Sequence, residues 1–354
     1  MLCESGMVLG VRGNPAASLD SQASVPRHLL MRSCLPFLAA TSLALSSGWI
    51  FAQTPQPAPL TERKVPPLVQ VRPEPRWGAS FWIGATRVLE FEAGIGMRRP
   101  FLYPLLGPSG LPLTRMGHPH DPVSHSHHNS VWLSHHDVAG TDFWADNGGT
   151  VEVVHIGRLE DGADRGALEV KAVWKDKVGT VLLHEWRRIT LVVLGRDLWR
   201  IDVETQLSAA DGAKTLGQTP FGLLGVRMAK TIGVTDGGGR ILNSEGGVNE
   251  AGCFRKPARW VDYSGPITAD LDEGITLLDH PQNLHHPVEF HVRNDGWMGA
   301  ATTFRAPHTL QPGQPLQLRY GLLVHSQRIG AQEFEQEWQR FAQEPLRPLP
   351  TKGK

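Results

Sequence analysis

The sequence lacks a charge imbalance, with 35 basic residues against 35 acidic ones. A protein that grips nucleic acid through bulk charge shows a basic excess or stripe, so that class is set aside. Cysteine is scarce: only Cys3, Cys34 and Cys253 occur in 354 residues. A disulfide scaffold is therefore excluded. Tyrosine numbers only 3, there is no internal repeat, and helices do not alternate with strands. The chain also has no GxSxG elbow, no P-loop and no GxGxxG between strand and helix. Its His-x-His steps lack the nearby Glu of a cupin, and zinc-protease and cysteine-zinc spacings are missing.

Long apolar runs are nearly absent as well. The longest follows Met31, a candidate second start, in MRSCLPFLAATSLALSSGWIFAQ, where Arg32 precedes an apolar stretch from Leu35 to Leu45. This is shorter than the ~20 residues a membrane span needs. It reads as a secretory signal peptide cleaved after Ala52, with an N-terminal anchor as the alternative. Residues 1–30 then read as an over-extended start, and residues 1–52 together as a leader. No mature transmembrane segment is expected, and the expected location is periplasmic or secreted. Residues 53–75 are Pro-rich and read as a linker or edge segment, 76–345 as one domain, and 346–354 as a tail. Cys253 would be the one cysteine left after cleavage, a buried apolar residue rather than a nucleophile.

What is abundant is Gly (38), Pro (27), Trp (11) and His (16). Short strand-like stretches recur at 79–92, 151–157, 168–174, 180–194, 198–207, 274–279, 288–293, 297–304 and 316–325. In WRIDVETQL, Ile201, Val203 and Thr205 share one face. Turn pairs such as Asp161-Gly162 and Asn294-Asp295-Gly296 separate the stretches. One segment, 330–343, has helical spacing, with Phe334, Trp338 and Phe341 on one side. The fold class expected is all-β: a large antiparallel two-sheet β-sandwich with a short C-terminal helix.

Seven of the 16 histidines fall between 118 and 136, where even spacing would put about one. Imidazoles titrate near neutrality, transfer protons and bind borderline metals. His127, His128 and His136 are the candidate acid/base groups here. His125 and His127 point to one side of an extended segment and form a candidate pair of ligands for a divalent metal ion, a distant His or Asp completing the set. The plainer reading is that these histidines bind loop carbonyls. A second constellation, LDHPQNLHHPVEFHVR at 278–293, offers Asp279 and His280 as further acid/base candidates and Asn283 and His286 as ligand contacts. Glu245, in the Gly-rich turn NSEGG, is a candidate base, or a solvated turn carboxylate. Arg227 lies on an otherwise apolar strand, where its charge must be paired or face a ligand. Asn129 and the rings of Trp132 and Trp144 suit the hydroxyls and apolar faces of a sugar.

Taken together, RRPFLYPLLGPSG (98–110), HSHHNSVWLSHHDVAGTDFW (125–144), FGLLGVRMA (221–229), NSEGG (243–247), ARWVDYSG (258–265) and DHPQNLHHPVEFHVR (279–293) resemble the bacterial PmoA-like family. The resemblance implies an exported β-sandwich related in shape to the galactose-mutarotase supersandwich. Such folds bind carbohydrates and use a His as acid with a carboxylate as base. The expected function is thus an exported carbohydrate-active protein with a small-molecule or saccharide ligand: an epimerase, lyase or hydrolase. The alternatives are a non-catalytic carbohydrate-binding module and a metal-dependent oxygenase or hydrolase.

Overall fold

The computed structural model describes residues 64–118, 120, 125–326 and 329–347. The leader expected at 1–52 and the end of the tail lie outside the described residues.

The chain is all-β, with two large antiparallel sheets. The nine-stranded sheet runs, edge to edge, Val69–Glu74, Gly78–Ile83, Thr86–Glu92, Phe101–Leu105, Val131–His135, Gly222–Arg227, Trp297–Ala301, Glu289–Arg293 and Lys256–Pro257. The eight-stranded sheet runs Arg240–Asn243, Trp260–Pro266, Asp272–Asp279, Leu316–Ser326, Leu198–Ala209, Val181–Gly195, Arg165–Lys175 and Thr150–Glu160. A small ribbon pairs Lys214–Leu216 with His308–Leu310. The stretch 79–92 is two strands rather than one, because Gly84 takes a positive φ of 59° and turns the chain between Ile83 and Thr86. The glycines at 237–239 end a one-turn helix, Val234–Gly237, with Gly238 in the left-handed region.

Alternation decides which side chains fill the core. Ile201, Val203 and Leu207 point inward and join Leu318, Tyr320 and Leu322 from the neighbouring strand and Val131, Leu133, Leu224 and Val226 from the other sheet. Their partners in the alternation, Arg200, Asp202 and Arg319, lie on the opposite face, beside the C-terminal helix Ala331–Gln343. Glu333 starts that helix by accepting the Gly330 N–H at 3.0 Å. Phe334 and Phe341 then pack with Trp260, Leu278 and Leu323 in a second, smaller apolar layer. Beyond the last turn, Glu344 receives Arg200 at 2.6 Å and Arg319 at 2.8 Å, and both arginines also hold Asp202. No helix among the described residues is long and apolar enough to cross a membrane.

Candidate functional site

The outer face of the nine-stranded sheet carries an apolar layer of its own, separate from the sandwich core: Trp132, Trp144 and Trp297, with Phe101 and Phe221 at its margin. Register explains it. Phe101 pairs with Trp132, Trp132 with Gly225, Gly225 with Gly299, and Gly299 with His291, so one row crosses five strands on one face. The two glycines in the row make room for a ring. A Cβ at Gly225 would stand 2.7 Å from the Trp297 ring and 3.0 Å from that of Trp132, and one at Gly299 would stand 2.8 Å from Trp297. The Trp297 side chain thus lies flat across backbone that carries no side chains.

His128 covers this floor. Its ring stacks on Trp297 with a centroid distance of 5.4 Å and an interplanar angle of 13°, and on Trp132 at 5.4 Å and 25°. The other histidines extend outward from it. His127 stands edge-on at 4.5 Å, His125 at 4.9 Å, and His118 lies 5.0 Å from His125. Arg99, 1% exposed, fastens the loop: its guanidinium donates to the His127 carbonyl, the Asn129 side-chain oxygen and the Trp144 and Ala145 carbonyls. Asn129 therefore spends its amide oxygen on Arg99.

Arg227 pairs with Trp297 in register and is fully buried. Its Nη1 donates to Asp295 at 3.0 Å, and the same carboxylate takes His118 Nε2 at 3.1 Å. Asp295 keeps a side-chain exposure of 40%, so this pair opens to solvent. Burial works to raise the Asp295 carboxyl, but the Arg227 charge and hydrogen bond, then His118, hold it below its usual range. Several buried nitrogens on this face have no hydrogen-bond partner: His128 Nδ1, His291 Nδ1, Trp132 Nε1, Arg115 Nε, and Nε and Nη2 of Arg227.

Burial keeps the imidazoles of His128, His135 and His291 neutral at pH 7. Desolvation pushes His128 far down, with Arg227 adding repulsion, and pushes His291 and His135 to about 4. In the unfolded chain these rings take up a proton near pH 6.5. Between that value and about 4 the unfolded state holds more protons, so stability should fall steadily with pH across this window. His135 and His291 should each contribute on the order of 3 kcal/mol to the loss. Denaturant midpoints at pH 7, 5.5 and 4.5 measure it, and a flat series would show that these rings are charged when folded.

The remaining sequence candidates sit elsewhere. Asp279 is buried and accepts Asn283 Nδ2 at 2.7 Å, the Val288 N–H at 3.2 Å and His286 Nδ1 at 2.6 Å. His280 accepts the Gln282 N–H on Nδ1 and so donates from Nε2 to the Glu344 carbonyl. Both bind toward the C-terminal helix, where Trp338 donates to the Asp279 carbonyl and stacks on His286. Glu245 is exposed and pairs with Arg259, itself bound to Glu335 of the helix. His136 is half-exposed beside Asp142 at 3.4 Å. Of the 278–293 constellation, only His291 reaches the tryptophan layer, touching Trp297 and Phe221. Among the described residues no group of three or more His, Cys, Asp or Glu side chains is placed to hold a metal ion, His125 and His127 included. A cavity of about 380 Å³ opens beside Arg99, but Thr150, Glu152, Ile95 and Met97 line it and no histidine does.

Asp295 and Trp297 are residues of this face that the sequence does not single out. Asp295 had been read only as part of a turn, and Trp297 as the start of a strand. The available signal was the buried-charge argument at Arg227, which demanded an acid without saying which.

The chain belongs to DUF6807, a family of unknown function whose model matches residues 79–339. This corrects the resemblance to the PmoA-like family: one match across the whole folded span overrides a likeness assembled from six short segments. No curated protein matches the chain. Among solved structures, the GalM/aldose epimerase homologue from C. elegans is similar at 8% identity and a TM-score of 0.30, covering 74% of this chain and 99% of that one.

Proposed function

From a family without an assigned activity and a face that stacks histidine on tryptophan, we propose an exported carbohydrate-active protein, an enzyme working by histidine acid–base chemistry. The observation that carries this reading is the set of partnerless buried nitrogens around the Trp132–Trp297 floor. A sugar ring has an apolar face and an oxygen-rich rim. The partly buried margin rings Phe101 and Phe221 match the first, and unpaired N–H groups and imidazole nitrogens match the second.

In this reading His128 exchanges a proton with the ligand; its ring over the floor and a Nδ1 without a protein partner support that role. His118, oriented by Asp295 at the exposed edge, is the second titrating group and communicates with solvent. The reaction class is proton transfer at a sugar carbon or glycosidic oxygen, which covers epimerase, lyase and hydrolase. Export rests on the Arg32–Ala52 leader, and the mature protein should begin at Gln53 when its N-terminus is sequenced.

The test is a saccharide panel followed by tryptophan fluorescence and product analysis. A sugar that binds should quench emission from the floor, and His128→Ala should lower kcat by ~10²–10⁴-fold. Binding without any product, unaffected by His128→Ala, would leave a binding module. Elemental analysis decides the metal alternative: one equivalent of zinc, iron, copper or manganese lost with His127→Ala would replace the acid–base reading.

A further inference from the structure

Resting on that sugar-site reading, we infer that the ligand carries a carboxylate, a uronic acid or its derivative, and that Arg227 receives it side-on through Nε and Nη2. The two orphaned nitrogens of Arg227 are adjacent on one edge of the guanidinium. That edge presents two parallel N–H groups at the spacing of a carboxylate's two oxygens. The remaining nitrogen, Nη1, is already spent on Asp295. Arg227 is therefore divided: one end is fixed by the protein, and a bidentate edge is left over.

Arg115 and Arg227 are matched by Asp295 and Asp236, so the case rests on which donors lack acceptors. Arg115 lies close enough to repel Arg227, and its own nitrogens donate to the Gly117 carbonyl and, at 3.4 Å, to the Asp295 carbonyl, with Nε unpaired. Burial and Arg227 push Arg115 down to about 10, still charged at neutral pH. Asp295 is the one carboxylate bonded to Arg227, and it is shared with His118. Asp236, also in range of both arginines, gives one oxygen to His120 at 2.8 Å, and its second oxygen has no partner. A buried cation whose donors lack acceptors is costly to keep, and an incoming anion removes that cost. The donor-only groups here, the guanidinium nitrogens and Trp132 Nε1, require a ligand that brings acceptors.

The decisive experiment uses the full wild-type chain and a matched pair of probes: galacturonate against its methyl ester, with glucuronate and its ester beside them. The ester keeps shape and hydroxyls and removes only the charge. In isothermal titration calorimetry the acid should bind about 10–100-fold more tightly than its ester. Arg227→Gln should bring that ratio to near one, and Arg227→Lys should restore part of it, since a point charge replaces the fork. Acid and ester binding the wild type equally would overturn the carboxylate assignment and leave the sugar site standing. Binding of neither acid nor ester nor any neutral sugar would overturn the sugar reading itself. The wild-type comparison stands even where a variant fails to fold.

Discussion

Asp279→Ala should cost the fold about 3–5 kcal/mol, the penalty for removing one partner of a buried, hydrogen-bonded charge. Asp279 has no exposed surface, and its two oxygens take Asn283, His286 and the Val288 N–H. Without it those donors face apolar surroundings. Asn283 would also loosen from Arg319, whose backbone it both receives and donates to at 2.7 Å. The measurement is the urea midpoint, with Asp279→Asn as a milder variant that keeps one accepting oxygen. Ligand binding at the tryptophan face should survive in whatever fraction folds. A fully stable Asp279→Asn protein with its turnover lost would return Asp279 to the chemistry, as its sequence neighbourhood suggests.

Gly225→Val should have the second large effect, this time on the site. A Cβ at 225 already falls within 2.7–3.0 Å of the Trp297 and Trp132 rings, and valine adds two methyl groups. The Trp297 ring must then leave its place across the sheet, and His128 loses the surface it stacks on. Sugar affinity should drop at least ~100-fold, about 2.7 kcal/mol, with overpacking costing the fold a further ~1–3 kcal/mol. Gly157→Ala is the control, since its Cβ would meet nothing nearer than 3.5 Å. Unchanged binding in Gly225→Val would mean that Trp297 is not the floor of the ligand site.

These two positions show what the sequence discloses and what it conceals. The sheet architecture was legible because the period-two alternation in segments such as 198–207 records which side is buried. The histidine cluster, Trp132, Trp144 and Arg227 were legible as well, by density or by an out-of-place charge. Gly225 and Gly299 were not, since their role depends on register between strands more than seventy residues apart. The sequence alone does not assign Asp279 and His280 a role, for a physical reason. A carboxylate beside an imidazole is the same pair of residues whether it moves protons or ties a loop to a helix, and only the other partners separate the two cases. The Asp295–His118 pair is the converse: a sequence separation of 177 hides a contact of 3.1 Å.

The junction at Glu344 sets a boundary for anyone shortening this protein. Arg200 and Arg319 are at most 5% exposed on their side chains, and Glu344 supplies acceptors to both from one residue past the helix. A chain cut at Gln343 would keep every strand and all of the helix, yet strip Glu344 from Arg200 and Arg319 and Arg347 from Glu204. Soluble yield should therefore fall abruptly between an end point at 347 and one at 343. The practical limit of the domain therefore lies past the helix, in the four residues from Glu344 to Arg347.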